Sequence, residues 1–231
     1  MWYQQYRITK LVLGEKIMHI RTKICGITRP QDAVCVANCG ADAIGLVFYQ
    51  KSQRYVNCQT AKQIIQVLPP FISVVGLFVN PPADYVYQII ETLPIDLLQF
   101  QGDEDEDFCT QFKRPYIKAI QVKNTQDIEN SIKIHQSARA LLFDAYHPQQ
   151  YGGSGQHFDW NILPNNINRQ WILAGGLNSD NIVQAITTTR TLNIDISSGV
   201  ESDKGIKDAQ KIKLFMQQIR KLEQSLPETK I

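Results

Sequence analysis

From residue 20 onward, eight short apolar segments alternate with amphipathic segments of helix length, and this alternation constrains the fold more than any other feature. Several of the apolar segments lack polar residues almost throughout, as expected of parallel strands covered on both faces. The alternation continues without a break in composition, which favours a closed (β/α)8 barrel, with an open doubly wound sheet as the alternative. The predicted strands are Ile20–Cys25, Ala43–Phe48, Ser73–Val79, Ile95–Gln99, Tyr116–Val122, Ala140–Ala145, Trp171–Ala174 and Asn193–Ser197.

The sequence predicts one barrel domain and one short N-terminal extension. Residues 1–17 show no clear period, so we expect an N-terminal extension outside the barrel and a single barrel domain over residues 18–231. The alternative is that this segment lies across the barrel floor. The sixth crossover is rich in glycine and has room only for a short helix near Asp159–Leu163. The other predicted helices are Pro30–Asn38, Thr60–Leu68, Pro82–Thr92, Glu104–Phe112, Thr125–Gln136, Asn178–Thr188 and Lys207–Leu226.

Composition argues against several classes of protein. The 231 residues are 43% apolar and 20% charged with a net charge of +2, so nothing indicates a nucleic-acid partner or a membrane surface. No apolar run reaches the roughly 18 residues that a membrane helix needs. The five cysteines include no CxxC pair, which argues against both a disulfide framework and a zinc site. We therefore expect a cytoplasmic protein without a metal.

The first predicted strand ends at Cys25, where active sites of barrels lie. The next helix shows capping-box spacing at Thr28 and Gln31, with Pro30 in its first turn. Most cysteines are small buried hydrophobic residues, and that interpretation stays open for Cys25. Its place at a strand end, close to a helix start, favours instead a thiol with an altered pKa and a catalytic role.

Two glycine-rich loops predict a phosphate site. The seventh strand runs into Gly175-Gly176 and the eighth into Ser197-Ser198-Gly199. Small residues let backbone N–H groups approach an oxyanion closely, and barrels often bind phosphate with these two loops. The alternative is that each glycine only permits a tight turn.

Other polar side chains also fall at the predicted strand ends. Asp144 ends an apolar strand, where a carboxylate is costly unless it is paired or exposed to a pocket, although it could simply cap a loop. Lys23 should point into the barrel like Cys25, with Asp195 as its predicted ion-pair partner. The remaining candidates are Gln99, Gln101 and Arg54.

Taken together and in chain order, these motifs resemble the phosphoribosylanthranilate isomerase family from about residue 20 to 220. The matching segments stand at nearly every predicted strand end, and an ordered set of this kind does not arise by chance. They are Lys23-Ile24-Cys25-Gly26-Ile27-Thr28, Gly40-Ala41-Asp42-Ala43-Ile44-Gly45, Ser52-Gln53-Arg54-Tyr55-Val56, Gly76-Leu77-Phe78-Val79-Asn80, Asp144 with Tyr151-Gly152-Gly153-Ser154-Gly155, Leu173-Ala174-Gly175-Gly176-Leu177 and Asp195-Ile196-Ser197-Ser198-Gly199-Val200-Glu201.

The resemblance implies a TIM barrel that catalyses an Amadori rearrangement in tryptophan biosynthesis without a cofactor, acting on one small phosphorylated substrate as a monomer or homodimer. It implies Cys25 as the general base and Asp144 as the general acid. Arg54 would face the anthranilate carboxylate. The substrate-binding residues it predicts are Arg54, Gln99, Gly175, Gly176, Asp195, Ser197, Ser198 and Gly199.

The chain departs from the family pattern at Gln101, where histidine is usual, at Gln53, where proline is usual, and in its N-terminal extension. Two related barrels remain as alternatives. Indoleglycerol-phosphate synthase would be expected to use lysine and glutamate, and the histidine-pathway isomerase two aspartates. A barrel that only binds a phosphate ligand is the third alternative. The pair of Cys25 and Asp144 favours none of them.

Overall fold

The computed structural model describes residues 19–145, 158–164 and 167–225. Within these ranges, parallel strands β1 to β8 pair in chain order and close into a barrel. The closing pair is β1 with β8, where Lys23 stands opposite Asp195. The predicted closed barrel is confirmed, and the open sheet is wrong. The strands are β1 Arg21–Cys25, β2 Ala43–Val47, β3 Ser73–Phe78, β4 Leu97–Phe100, β5 Tyr116–Val122, β6 Ala140–Ala145, β7 Trp171–Leu173 and β8 Asn193–Ile196.

The helices pack outside the strands, and the core lies between the two layers. Large aromatic side chains of the strands, such as Phe78, Phe100 and Phe143, are fully buried there. The sixth crossover contains a 3-10 turn at Trp160–Ile162, inside the predicted segment. The helices are α1 Pro30–Asn38, α2 Cys58–Gln66, α3 Ala83–Thr92, α4 Glu106–Thr110, α5 Thr125–Ile134, α6 Ile182–Thr189 and α7 Ala209–Ser225.

The predicted capping box at the start of α1 is wrong. Pro30 stands in the first turn as expected, but the N-cap residue is Arg29, whose side chain makes no capping hydrogen bond. Thr28 donates its hydroxyl instead to the carbonyl of Gly205, which lies 177 residues further along the chain. Thr28, which the local pattern predicted to cap α1, therefore makes a tertiary contact instead.

A small antiparallel hairpin follows β8, and the last helix begins only after it. Strands β9 (Glu201–Asp203) and β10 (Ile206–Lys207) are joined by a tight turn in which Gly205 has a φ of +78°. The helix predicted to begin at Lys207 begins at Ala209, because Lys207 pairs with Glu201 in the hairpin.

Some predictions fall outside the described residues, namely the extension over residues 1–17 and the Gly-rich segment of residues 151–155. Within the described ranges, every helix is too short or too polar to cross a membrane.

Candidate active site

A cavity of about 490 Å³ opens where the barrel strands end. Nearly all the predicted site residues line it, and they come from both halves of the chain. The predicted residues in its wall are Cys25, Arg54, Gln99, Asp144, Gly175, Gly176, Asp195, Ser197 and Ser198. Gly199 does not belong to the described lining and packs against the carbonyl of Leu177, so closely that a Cβ there would clash. Gly199 therefore holds the loop after β8 against the loop after β7.

Cys25 ends β1 and is 5% exposed. It packs against the apolar side chains of Val47, Leu77 and Val79. Burial raises the pKa of the thiol, while the positive charges of Lys23 and Lys207 act to lower it. In the protein without substrate the thiol therefore carries its proton at neutral pH.

Lys23 and Asp195 form the predicted ion pair inside the barrel. Lys23 Nζ lies 2.9 Å from Asp195 Oδ1, and both side chains are buried. Burial is the largest single influence and acts to lower the pKa of Lys23, but Asp195 and Cys25 together outweigh it and the pKa is raised. The ammonium therefore stays charged beneath the cavity.

Asp144 stands near the end of an apolar strand and accepts hydrogen bonds from two of the described residues. Ala145 N–H donates to its Oδ1 over 2.9 Å, and Gln101 Nε2 donates to its Oδ2 over 3.0 Å. Burial and the charge of Asp195 raise the pKa of the carboxyl to about 6, although both hydrogen bonds oppose the rise. A carboxyl with this pKa can donate or accept a proton near neutral pH.

Gln101 is in turn held by Gln99. Gln99 Nε2 donates to Gln101 Oε1 over 2.8 Å, and both amides are buried. No described residue donates to Gln99 Oε1. This oxygen is an acceptor available to a substrate hydroxyl, because Gln99 lies in the cavity wall.

The two loops predicted to bind phosphate meet on one side of the cavity. Gly175 and Gly176 follow β7 with φ values of +86° and +62°, and Ser197 and Ser198 follow β8. The Asn181 side chain donates to the Gly176 carbonyl over 2.9 Å and fixes the first loop. Small residues of both loops therefore line the cavity, and phosphate binding by them stays a prediction.

Arg54 reaches the cavity from the loop after β2 and is held by Glu201, the last residue of the matching segment Asp195–Glu201, for which the sequence predicted no role. Its Nε and Nη2 donate to the two carboxylate oxygens of Glu201, each over 2.8 Å. Lys207 Nζ lies 2.8 Å from the same carboxylate. Gly205 suits the third position of a type II turn, which needs a positive φ there, but a single glycine does not specify a hairpin that pairs Glu201 with Lys207.

The described residues contain no group of three or more His, Cys, Asp or Glu side chains arranged to hold a metal. The described wall of the cavity offers a thiol, a carboxyl with a raised pKa, a guanidinium and the glycine and serine residues of two loops.

Comparison with known proteins agrees with this geometry. The family model of N-(5′-phosphoribosyl)anthranilate isomerase matches residues 22–218. The isomerase of that name from Neisseria meningitidis serogroup B is 52% identical over 197 residues, which are 85% of this chain and 95% of that protein.

Solved structures of the same name superpose closely. The Thermotoga maritima phosphoribosyl anthranilate isomerase has a TM-score of 0.81 at 35% identity, covering 87% of this chain and 99% of that one. A phosphoribosyl anthranilate isomerase in complex with reduced 1-(o-carboxyphenylamino)-1-deoxyribulose 5-phosphate has a TM-score of 0.74 at 33% identity, with the same coverage. The chain belongs to the N-(5′-phosphoribosyl)anthranilate isomerase family.

Proposed function

We propose that Cys25 and Asp144 are the general base and general acid of this enzyme. As a member of its family, the chain is an isomerase of tryptophan biosynthesis. It converts N-(5′-phosphoribosyl)anthranilate into 1-(2-carboxyphenylamino)-1-deoxyribulose 5-phosphate. The observation that carries the assignment is that both side chains line one cavity, although β7 and β8 separate their strands around the barrel. The two groups can therefore act on different faces of one sugar.

Asp144 acts first, in the step that opens the ring. Its carboxyl proton passes to the furanose oxygen, the bond from that oxygen to C1′ breaks, and a Schiff base forms between C1′ and the anthranilate nitrogen. The cationic Schiff base acidifies the C2′–H bond. Cys25, as thiolate, removes that proton, and the electron pair of the bond forms the enolamine. The enolamine becomes the ketone when the 2′-hydroxyl loses its proton and C1′ gains one.

One turnover leaves a thiol at Cys25 and a carboxylate at Asp144. This is also the state that the raised pKa of the thiol and the pKa of about 6 at Asp144 favour without substrate. One proton must therefore return from Cys25 to Asp144 before the next turnover. The negative charge of the substrate phosphate and carboxylate favours the protonated form of both groups, so the return depends on how much it raises the pKa of Asp144 relative to that of Cys25.

Anchors at the two ends of the cavity support the same assignment. The loops with Gly176 and Ser198 would hold the phosphate through their backbone N–H groups. Arg54 would bind the anthranilate carboxylate, because its planar guanidinium matches a carboxylate geometrically. The sugar would then lie between Cys25 and Asp144.

One assay tests the activity. Freshly prepared phosphoribosylanthranilate is fluorescent, and the purified protein should abolish that fluorescence enzymatically. An unchanged signal at substrate concentrations that saturate a related isomerase would contradict the activity.

We also infer that the domain begins at residue 18 and that residues 1–17 lie outside the barrel. Strand β1 begins at Arg21 and the family match begins at residue 22. A chain of residues 18–231 should keep the turnover number of the full chain.

A further inference from the structure

Hairpin β9–β10 places a carboxylate between two cations at the edge of the cavity. Glu201 is 7% exposed and Lys207 is 4% exposed. Lys207 Nζ donates to Glu201 Oε1 over 2.8 Å and to the Ser197 carbonyl over 2.9 Å. Glu201 also accepts two hydrogen bonds from the Arg54 guanidinium. One carboxylate therefore connects the loop after β2 with the loop after β8.

Glu201 occupies only one edge of the Arg54 guanidinium. It accepts from Nε and Nη2, while Nη1 donates to no side chain or carbonyl among the described residues. A guanidinium has five N–H donors, so the terminal edge formed by Nη1 and Nη2 keeps three of them. Such an edge can bind a second carboxylate in a bidentate manner.

The side-chain stem of Arg54 packs against Gly26. A Cβ added at Gly26 would lie 2.5 Å from Arg54 Cδ, and Gly26 has a φ of +76°. Glycine is therefore required there for the arginine to lie against β1. The contact of the stem with Gly26 and the two hydrogen bonds to Glu201 together restrict the orientation of the guanidinium.

Charge balance makes this arrangement depend on Glu201. Burial acts to raise the pKa of Glu201, but the hydrogen bonds from Arg54 and the charge of Lys207 outweigh it and lower the pKa. The carboxylate stays ionised between the two cations. Without it, Arg54 and Lys207 would repel each other in a buried site.

We propose that Glu201 is the positioning residue of Arg54, turning the terminal edge of the guanidinium toward the substrate carboxylate, and that Lys207 holds Glu201 in place. This inference rests on the proposed function, since it assigns the carboxylate end of the cavity to Arg54. Glu201 touches no reacting atom in this scheme and acts through Arg54.

Two probes separate the two ends of the cavity. Titration calorimetry with anthranilate reports on the Arg54 end, and titration with inorganic phosphate reports on the loop end. Glu201→Gln should weaken anthranilate binding at least tenfold and change phosphate binding less than twofold. In turnover, KM should rise by a similar factor while kcat changes less. Unchanged anthranilate binding, or equal losses at both ends, would overturn the proposal.

A coupling experiment tests whether Glu201 acts through Arg54. Arg54→Lys removes the bidentate edge, so Glu201→Gln should cause no further loss of anthranilate affinity in that background. Losses that multiply in the double variant would show independent roles and reject the proposal.

Glu201→Gln leaves Lys207 buried beside a neutral amide, and the variant could fail to fold. The double variant Glu201→Gln/Lys207→Met removes both charges and keeps the volume. It should fold and still bind anthranilate at least tenfold more weakly than the unmodified chain. Wild-type anthranilate affinity in the double variant would reject the proposal.

A second buried ion pair provides the control. Glu104 lies 3.0 Å from Lys118, and neither side chain is among the described residues lining the cavity. Glu104→Gln should lower the melting temperature without changing anthranilate affinity. A loss of anthranilate affinity as large as that of Glu201→Gln would show a general effect of destabilisation and reject the positioning role.

The turnover assay tests the proposed function, and the calorimetric titration tests the positioning role. The two tests are independent, because binding can be measured without turnover. A wild-type protein that binds anthranilate but does not consume phosphoribosylanthranilate would refute the activity alone. A fully active wild type with an unaffected Glu201→Gln variant would refute the positioning role alone.

Discussion

Gln101 donates a hydrogen bond to Asp144 over 3.0 Å, and both side chains are buried. The bond stabilises the carboxylate and holds the pKa of Asp144 lower than burial alone would. It is formed by the residue at which this chain departs from the usual family motif. An amide does not titrate in this range, so Gln101 remains a hydrogen-bond donor to Asp144 at every pH and favours its ionised form.

This relationship predicts a shift in the pH profile of kcat/KM. In the proposed mechanism, the productive enzyme has one proton on Asp144 and none on Cys25. It is in equilibrium with the form that has its single proton on Cys25. Activity should therefore rise through the lower pKa, about 6 for Asp144, and fall through the higher one. Gln101→Leu removes the donor and should move the rising limb up by about one to two pKa units, since a hydrogen bond to a charged group contributes about 1.5–3 kcal/mol. An unmoved rising limb would show that Gln101 does not tune the acid.

Removing either acid–base group should abolish most turnover while substrate still binds. Cys25→Ala and Asp144→Asn should each lower kcat by roughly 10²–10⁴-fold, the usual contribution of general acid–base catalysis. Stopped-flow fluorescence measures kcat, and calorimetry with the product measures binding. The matched control is Cys109→Ala, which removes a buried thiol of the core outside the cavity lining. Near-normal kcat in either site variant would refute its assigned role.

Lys23→Met should affect stability more than substrate affinity. It leaves Asp195 buried without its partner 2.9 Å away, and breaking a buried pair costs about 3–5 kcal/mol of unfolding free energy. Urea denaturation measures the loss, and Lys23→Met/Asp195→Asn should recover much of it. Equal stability combined with lost product binding would mean that Lys23 serves the ligand directly.

The strand ends were predictable because a parallel barrel places every strand C-terminus at one face. Cys25 and Asp144 lie 119 positions apart in the sequence and still line one cavity. The pattern of alternation was sufficient for this, since it fixes which end of each strand faces the ligand. The positions of the two loops after β7 and β8 at this face were predictable for the same reason.

Contacts between distant side chains were not predictable in the same way. The Arg54–Glu201 pair joins residues 147 positions apart through a two-strand hairpin that the pattern did not indicate. Thr28 had a local partner by spacing, yet it bonds to Gly205 in that same hairpin. The pKa of Asp144 also depends on burial, on Asp195 and on Gln101 together, and only the fold brings these together.

A histidine at the start of the described chain predicts a pH dependence of stability unrelated to the cavity. His19 Nε2 lies 2.7 Å from Asp42 Oδ1, and its Nδ1 lies 2.9 Å from Glu223 Oε1. The hydrogen bond to Asp42 is the main cause of a raised pKa, with Glu223 acting in the same direction and burial opposing it. The protonated ring therefore ties α7 to the start of β2.

The folded-state pKa of His19 lies above the ordinary value of 6.5, so its stabilisation is fully present below about pH 6.5 and is lost as pH rises through the folded value. The side chain is 53% exposed, so solvent screening should keep the effect below about 1 kcal/mol. His19→Gln should lower the free energy of unfolding at pH 6 and leave it nearly unchanged at pH 9, as measured by urea denaturation. A difference from the unmodified chain that is equal at both pH values would show that the protonated ring does not stabilise the fold.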